Sequence, residues 1–339
     1  MIAGAGCDIR PAPLAFQMAE EWTVKHRSLS AALCFGVVLA AATVACPAAA
    51  QTKRLPSDVG AAGTSKMPVI HPDGIALGAY DPHGDFSNVE KATIEHLFLP
   101  WLDVDLSSLL EADAYASSRG RKILVTVEPW SWSENWSMSP QDLRDRILSG
   151  GYDDNIDAVC GMIARLRAPV TIRWAHEMDD TSGQFPWSQW TPERYVKAYQ
   201  KFVTRCRSSV ARAEYMWSPI GNENLAEYYP GNDYVDVVGL SVFGLQQYDN
   251  DKFGRDRSFA DILKPKYEAA KIFSKPIVVA ELGYEGNTEY VENWANAVAL
   301  KNPDFPELAA VVYFNDREVY PWPENYGLPN WRVAREAAE

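Results

Sequence analysis

From Gly74 onward, short runs of apolar and β-branched residues alternate with stretches whose apolar positions recur every three or four residues. The runs GIALGAY (74–80), HLFLPWL (96–102), KILVTVE (122–128), VTIRWA (170–175), AEYMWS (213–218), YVDVVGLSV (234–242), KPIVVAE (275–281) and AAVVYF (309–314) have the length and residue types of buried strands. Between them SNVEKATIE, SSLLEADAYASSR, DDNIDAVCGMIARLR, TPERYVKAYQKFVTRCR, SFADILKPKYEAAKIF and TEYVENWANAVAL read as helices, with Asn88, Ser107, Asp154 and Thr191 as candidate N-caps. The link between the fifth and sixth runs has no clear helical period. Strands that are apolar on both faces and separated by helices make a parallel sheet covered on both sides. The fold class is therefore α/β. Eight such units in about 265 residues fit a (β/α)8 TIM barrel, which takes about 250. An open doubly wound sheet would carry a Gly-rich phosphate turn after its first strand, and no such turn follows GIALGAY.

The first 50 residues follow another pattern. Lys25-His26-Arg27 precede the apolar run LSAALCFGVVLAAATVA, and small residues follow at Ala48 and Ala50. A basic flank, an apolar centre and small residues predict a secretory signal peptide over 1–50, cut after Ala50. At about 17 residues the run is at the short end for a membrane span, so no stable span is expected after cleavage. Residues 51–72, rich in Ala, Gly, Ser, Thr and Pro, read as a flexible linker, and 73–339 as one barrel domain. The mature protein is expected to be secreted or periplasmic. Of five cysteines, Cys7, Cys34 and Cys46 lie in the leader. Cys160 and Cys206 remain, on two helices that flank one strand; a disulfide or two buried thiols would fit.

A formal net charge of −13 argues against nucleic-acid binding, because neutralising phosphates needs an excess of Lys and Arg. Twelve Trp, 16 Tyr and 12 Phe fill a large core and also supply flat faces for sugar rings. In a parallel barrel the active site lies where strands finish. Acids stand at four such ends: Asp81, Glu128, Glu177 and Glu281. A pair of glutamates facing one mouth is what glycoside hydrolysis requires, one protonated and one ionised. Arg173, four residues before Glu177, has the parity to face the interior and keep one carboxylate charged. For Asp81 and Glu128 a structural ion pair is the simpler expectation.

Several blocks occur in a telling order: RWAHEM (173–178), PERYVKAYQKFV (192–203), YMWSP (215–219), YYPGNDYVDVVGLSVF (228–243), KPIVVAELG (275–283), VVYFN (311–315) and NWR (330–332). Together, over roughly 74–333, they resemble glycoside hydrolase family 26, the β-mannanases and related β-glucanases of a clan of retaining barrel enzymes. The resemblance implies that Glu177 is the acid/base and Glu281 the nucleophile. It also implies that His176 lines the cleavage subsite. Trp217 would stack on a sugar or fill the barrel. Trp130, Trp132 and Trp136 in WSWSENW, and Phe185, Trp187 and Trp190 beyond the fourth strand, read as substrate platforms on two sides of the mouth.

Two departures bear on the substrate more than on the reaction. The run after His-Glu-Met is Asp179-Asp180-Thr181-Ser182, and Phe243 stands where the family commonly has a Tyr holding the nucleophile. An atypical branch acting on a β-mannan-type polymer, a β-1,3/1,4-glucan or a bacterial exopolysaccharide fits these changes. The leading reading is a secreted retaining endo-β-glycanase that needs no cofactor or metal and acts as a monomer on a polysaccharide. A non-catalytic carbohydrate-binding barrel and a lyase are the alternatives.

Overall fold

The computed structural model describes residues 65–222 and 224–334. The expected leader, and the linker up to residue 64, lie outside the described residues; the rest of the expected flexible linker is docked, with the Val69 N–H donating to the Ala295 carbonyl at 2.8 Å and Met67 and Ile70 packed on the core. Eight strands close into one parallel barrel in chain order: β1 (Ala76–Tyr80), β2 (Ala92–Pro100), β3 (Lys122–Glu128), β4 (Val170–Trp174), β5 (Glu214–Trp217), β6 (Val237–Leu245), β7 (Ile277–Glu285) and β8 (Leu308–Phe314). The barrel is completed by parallel pairing of β8 with β1, Ala76 opposite Ala310 and Tyr80 opposite Phe314. Helices α1 (Ser108–Ser118), α2 (Pro140–Ser149), α3 (Asp153–Ile163), α4 (Pro192–Ser209), α5 (Leu225–Tyr228), α6 (Gln246–Phe253), α7 (Phe259–Ala270) and α8 (Thr288–Ala297) fall between the strands.

Alternation along the strands creates two cores. Outward-facing residues such as Ile123, Val125, Val127, Trp174 and Val279 join the helices in one large apolar layer. Trp174 stacks on Phe202 of α4, their planes 12° apart. Inward-facing Leu124, Met216, Val237, Val278, Ala280, Ala310 and Val312 plug the lower barrel. Gly239 leaves them room: a Cβ there would lie 2.6 Å from the Ser218 Oγ and 2.7 Å from the Met216 sulfur. Above this plug the interior turns polar.

Several elements differ from the sequence reading. SNVEKATIE is not a helix and Asn88 caps none: turns follow β1, and 92–95 belong to β2, where Ile94 pairs with Gly78. β-branched Thr93 and Ile94 favour the strand, and Asp81 fixes the turn by accepting from the Asp85 and Phe86 amides at 3.0 and 2.7 Å. Asp154 is inside the first turn of α3 and not its cap. Ser107 and Thr191 do precede helices, but neither side chain makes a cap bond. Helix α2, which lacks an obvious apolar stripe, starts from a Ser139 cap with Pro140 at its first position. Helix α6 lies between β6 and the expected helix SFADILKPKYEAAKIF, where the sequence reading placed none. The structure joins Cys160 of α3 to Cys206 of α4 in a disulfide. Among the described residues no helix is long and apolar enough to cross a membrane.

Candidate active site

Two local irregularities aim the two glutamates. β4 ends at Trp174, and Ala175 and Glu177 both take left-handed backbone, with φ of 46° and 54°. Non-glycine residues adopt this at a cost, so the surroundings must impose it. They do: Ala175 N–H donates to the Val127 carbonyl at 3.1 Å and Glu177 N–H to the Ser218 carbonyl at 2.7 Å. The Tyr195 hydroxyl grips the Ala175 carbonyl and the Trp187 indole grips the His176 carbonyl, at 3.2 and 2.6 Å. Asp179 accepts from the amides of Ile220, Gly221 and Asn222. The departure at 179 thus ties two mouth loops together.

The second irregularity lies in β7. Val278 and Ala280 face inward and Val279 outward, so strict alternation would turn Glu281 out. The register instead runs Leu240 to Val279 and then Ser241 to Glu281, and on the other side Val279 to Val311 and then Leu282 to Tyr313. One extra residue is thereby absorbed as a β-bulge, which returns Glu281 to the interior. Glu281 therefore lies within β7, four residues before its end.

Arg173 is fully buried inside the barrel and binds Glu281, its Nη1 2.6 Å from Oε1. The same guanidinium donates to the Ser218 Oγ at 2.9 Å and the Thr126 Oγ1 at 3.3 Å. The Ser241 hydroxyl, opposite Glu281 in register, donates to the Glu177 Oε1. Burial, and next the charge of Glu281, push the Glu177 carboxyl up to about 8. One acid thus holds its proton near neutral pH while the other carries a guanidinium partner. His176 Nε2 is 3.8 Å from the Glu281 Oε1. Burial, with Arg173 and His96 beside it, depresses His176 well below the usual imidazole range, so it is neutral.

Glu128 closes one side. It is 5% exposed, and its Oε2 accepts from the indoles of both Trp130 and Trp132, at 2.8 and 2.6 Å. Burial lifts its carboxyl to about 7. Trp132 is half-buried at the mouth, and Trp130 packs on Trp136, Phe185 and Trp187. Phe243, also half-buried, faces Phe314, Trp322 and Trp331.

Four of the expected platforms are buried packing residues instead: Phe185, Trp187, Trp190, whose indole donates to the Pro140 carbonyl at 2.8 Å, and Trp217. Trp217 is fully buried and points outward against Tyr229 and Phe273, because on a strand whose Met216 faces in, its neighbours face out. Trp187 is also fully buried, stacked on Phe185 and bonded to the His176 carbonyl. Asp81 serves its turn and accepts from Asn315 at 2.6 Å. Sequence reading missed Thr126, Ser218, Ser241 and His96, which line the polar interior. Their signal was available: each is a polar residue with inward parity on a strand or just past its end.

Comparisons with known proteins add the following. The model of Glycosyl hydrolase family 26 matches residues 145–298, which hold Arg173, Glu177 and Glu281. A β-1,3-xylanase of Alcaligenes sp is 28% identical over 121 residues, 34% of this chain and 25% of its own. Endoglucanase H of Acetivibrio thermocellus is 22% identical over 261 residues, 73% of this chain and 27% of its own. The chain thus spans about a quarter of the length of these curated relatives. In fold it resembles the catalytic domain of a Bacillus sp. JAMB-750 endo-β-1,4-mannanase, with a TM-score of 0.55 and 17% identity over 76% of this chain and 79% of that one.

Proposed function

Starting from a chain assigned to glycosyl hydrolase family 26 by that match and this barrel, we propose that it is a retaining β-glycanase acting through Glu177 and Glu281. One observation carries the reading: at one barrel mouth Ser241, which donates to Glu177, lies opposite Glu281, and Glu281 is bound to the fully buried Arg173. Glu177 donates its proton to the leaving glycosidic oxygen as Glu281 attacks the anomeric carbon. A covalent glycosyl-enzyme forms and the aglycone departs as an alcohol. Glu177, now a carboxylate, takes a proton from water, which attacks the same carbon and releases Glu281. Two inversions give net retention. Neutral His176 lines the cleavage point without competing for the ion pair.

The substrate is a β-linked polysaccharide: a β-mannan-type polymer, a β-1,3/1,4-glucan or a bacterial exopolysaccharide, cut internally. The matched relatives are named for xylan and glucan chemistry, which widens the range worth assaying. The basic-then-apolar leader supports export to the periplasm or medium, and a monomer suffices for this chemistry. The test is reducing-sugar release from mannan, glucomannan, mixed-linkage glucan, β-1,3-xylan and carboxymethylcellulose. Wild type should cleave at least one and Glu177→Gln should not match it. No release by wild type from any of them would favour a non-catalytic binding barrel.

A further inference from the structure

Glu128 has no part in the double displacement, yet it is built into the site with care. Thr126 and Glu128 share the inward face of β3, one above the other, and Thr126 touches Arg173. Both indole donors, from Trp130 and Trp132, converge on the Oε2 of Glu128. Its Oε1 accepts no hydrogen bond from the described residues, yet it is not among the polar atoms sealed from solvent without a partner. The carboxyl is therefore anchored through one oxygen, while the other keeps unused acceptor capacity and is not sealed from solvent. Its charge interacts with that of Glu281.

A similar arrangement stands across the mouth. Glu318, in the loop after β8, accepts from the Trp331 indole at 2.8 Å, and it too interacts with Glu281. Acids thus surround the cleavage point. Among the described residues, cations that act on the pair include Arg173, bound to Glu281, and Lys266, which interacts with Glu177 while donating to the Ile220 carbonyl at 2.7 Å. A carboxylate with one free oxygen beside an aromatic face accepts a sugar hydroxyl well and repels a sugar carboxylate.

We propose that Glu128 is a specificity-determining residue: it forms, with Trp132, a subsite that takes an uncharged sugar ring through a hydroxyl-to-Oε1 hydrogen bond and excludes acidic sugars. The proposal rests on the glycanase reading and assigns discrimination against uronate-bearing glycans to this one side chain.

The experiment uses the polymer that the assay panel identifies, in a hydroxyethylated form and a carboxymethylated form of equal substitution. These share bulk and differ in charge. At pH 8, above the value of about 7 to which burial lifts Glu128, wild type should prefer the hydroxyethylated form in kcat/KM. Glu128→Gln keeps an acceptor for the indoles and removes the charge. It should lower kcat/KM on the neutral form about 10- to 100-fold and shrink the preference about tenfold. An equal preference in both proteins overturns the proposal. Retardation of the same proteins in native gels cast with each derivative of the panel polymers needs no turnover. If wild type cleaves nothing but Glu128→Gln loses the retardation difference, the subsite stands and the hydrolase reading fails. If retardation too is unchanged by the substitution, the subsite fails.

Discussion

The Nη1 of Arg173 lies 2.6 Å from the Oε1 of Glu281, and the arginine that makes this contact is fully buried. Removing one partner of a buried pair strands the other charge, which costs about 3–5 kcal/mol. Arg173→Met should therefore lose stability on that scale in urea unfolding and lose most turnover. Arg173→Lys should recover charge but not the forked contacts to Ser218 and Thr126, leaving kcat well below wild type. Wild-type kcat in Arg173→Lys would refute the role given to the guanidinium.

Glu177 gives a pH prediction of definite sign. Burial raises its carboxyl from the ordinary 4.5 to about 8, so the folded state binds a proton that the unfolded state releases. Its contribution to stability is thus full below about 4.5 and is lost as pH rises towards 8. Glu177→Gln, uncharged throughout, should gain melting temperature relative to wild type between pH 5 and 8. Polysaccharide hydrolysis should fall above about pH 8 as the acid loses its proton. The same variant should lose about 10²- to 10⁴-fold on natural glycans and far less on dinitrophenyl glycosides, whose leaving group needs no proton.

The nucleophile can be identified by the product it leaves. Glu281→Ala should be inactive, and azide should restore turnover by entering the vacated space and attacking the anomeric carbon. From a β-glycoside that single displacement yields an α-glycosyl azide. In Glu177→Ala, azide should instead intercept the glycosyl-enzyme and yield the β-azide. NMR of the products separates the two, and exchanged anomers would reverse the assignments.

The disulfide closes 46 residues between two helices. Loop-closure entropy for that span predicts a loss of about 3–4 kcal/mol when Cys160 and Cys206 are both replaced by Ser. Because Cys206 lies in the last turn of α4, at the other end from the Tyr195 that holds the Ala175 carbonyl, kcat at 25 °C should hold while the urea midpoint drops.

The barrel was legible because its strands are buried on both faces and hence nearly continuous in apolar residues, a pattern that survives without an alignment. Glu177 and Glu281 were legible because acids at the ends of such runs stand out. What hid was whatever depends on parity at an irregularity. Alternation read along KPIVVAE points Glu281 outward, and only the bulge seen in the paired register turns it in. Trp217, open in the sequence between stacking on a sugar and filling the barrel, does neither: its strand is regular, and its parity turns it outward against Tyr229 and Phe273. SNVEKATIE satisfied a helical spacing, yet Asp81 spends its carboxylate on a turn and leaves no room for a helix before β2.

The tryptophans of the mouth divide by burial, and the division is measurable. Trp187 is fully buried and holds the His176 carbonyl, so Trp187→Ala should cost about 3–5 kcal/mol in unfolding free energy. Trp132 is half-buried and bonded through its indole to Glu128, so Trp132→Ala should cost only about 1–2 kcal/mol. Its loss should appear in binding, as a KM raised about tenfold with kcat changed much less, because a stacking face holds substrate and transition state alike. Urea titrations and initial rates on the panel substrate decide between the two patterns. A Trp132→Ala protein with unchanged KM would remove that ring from the substrate path.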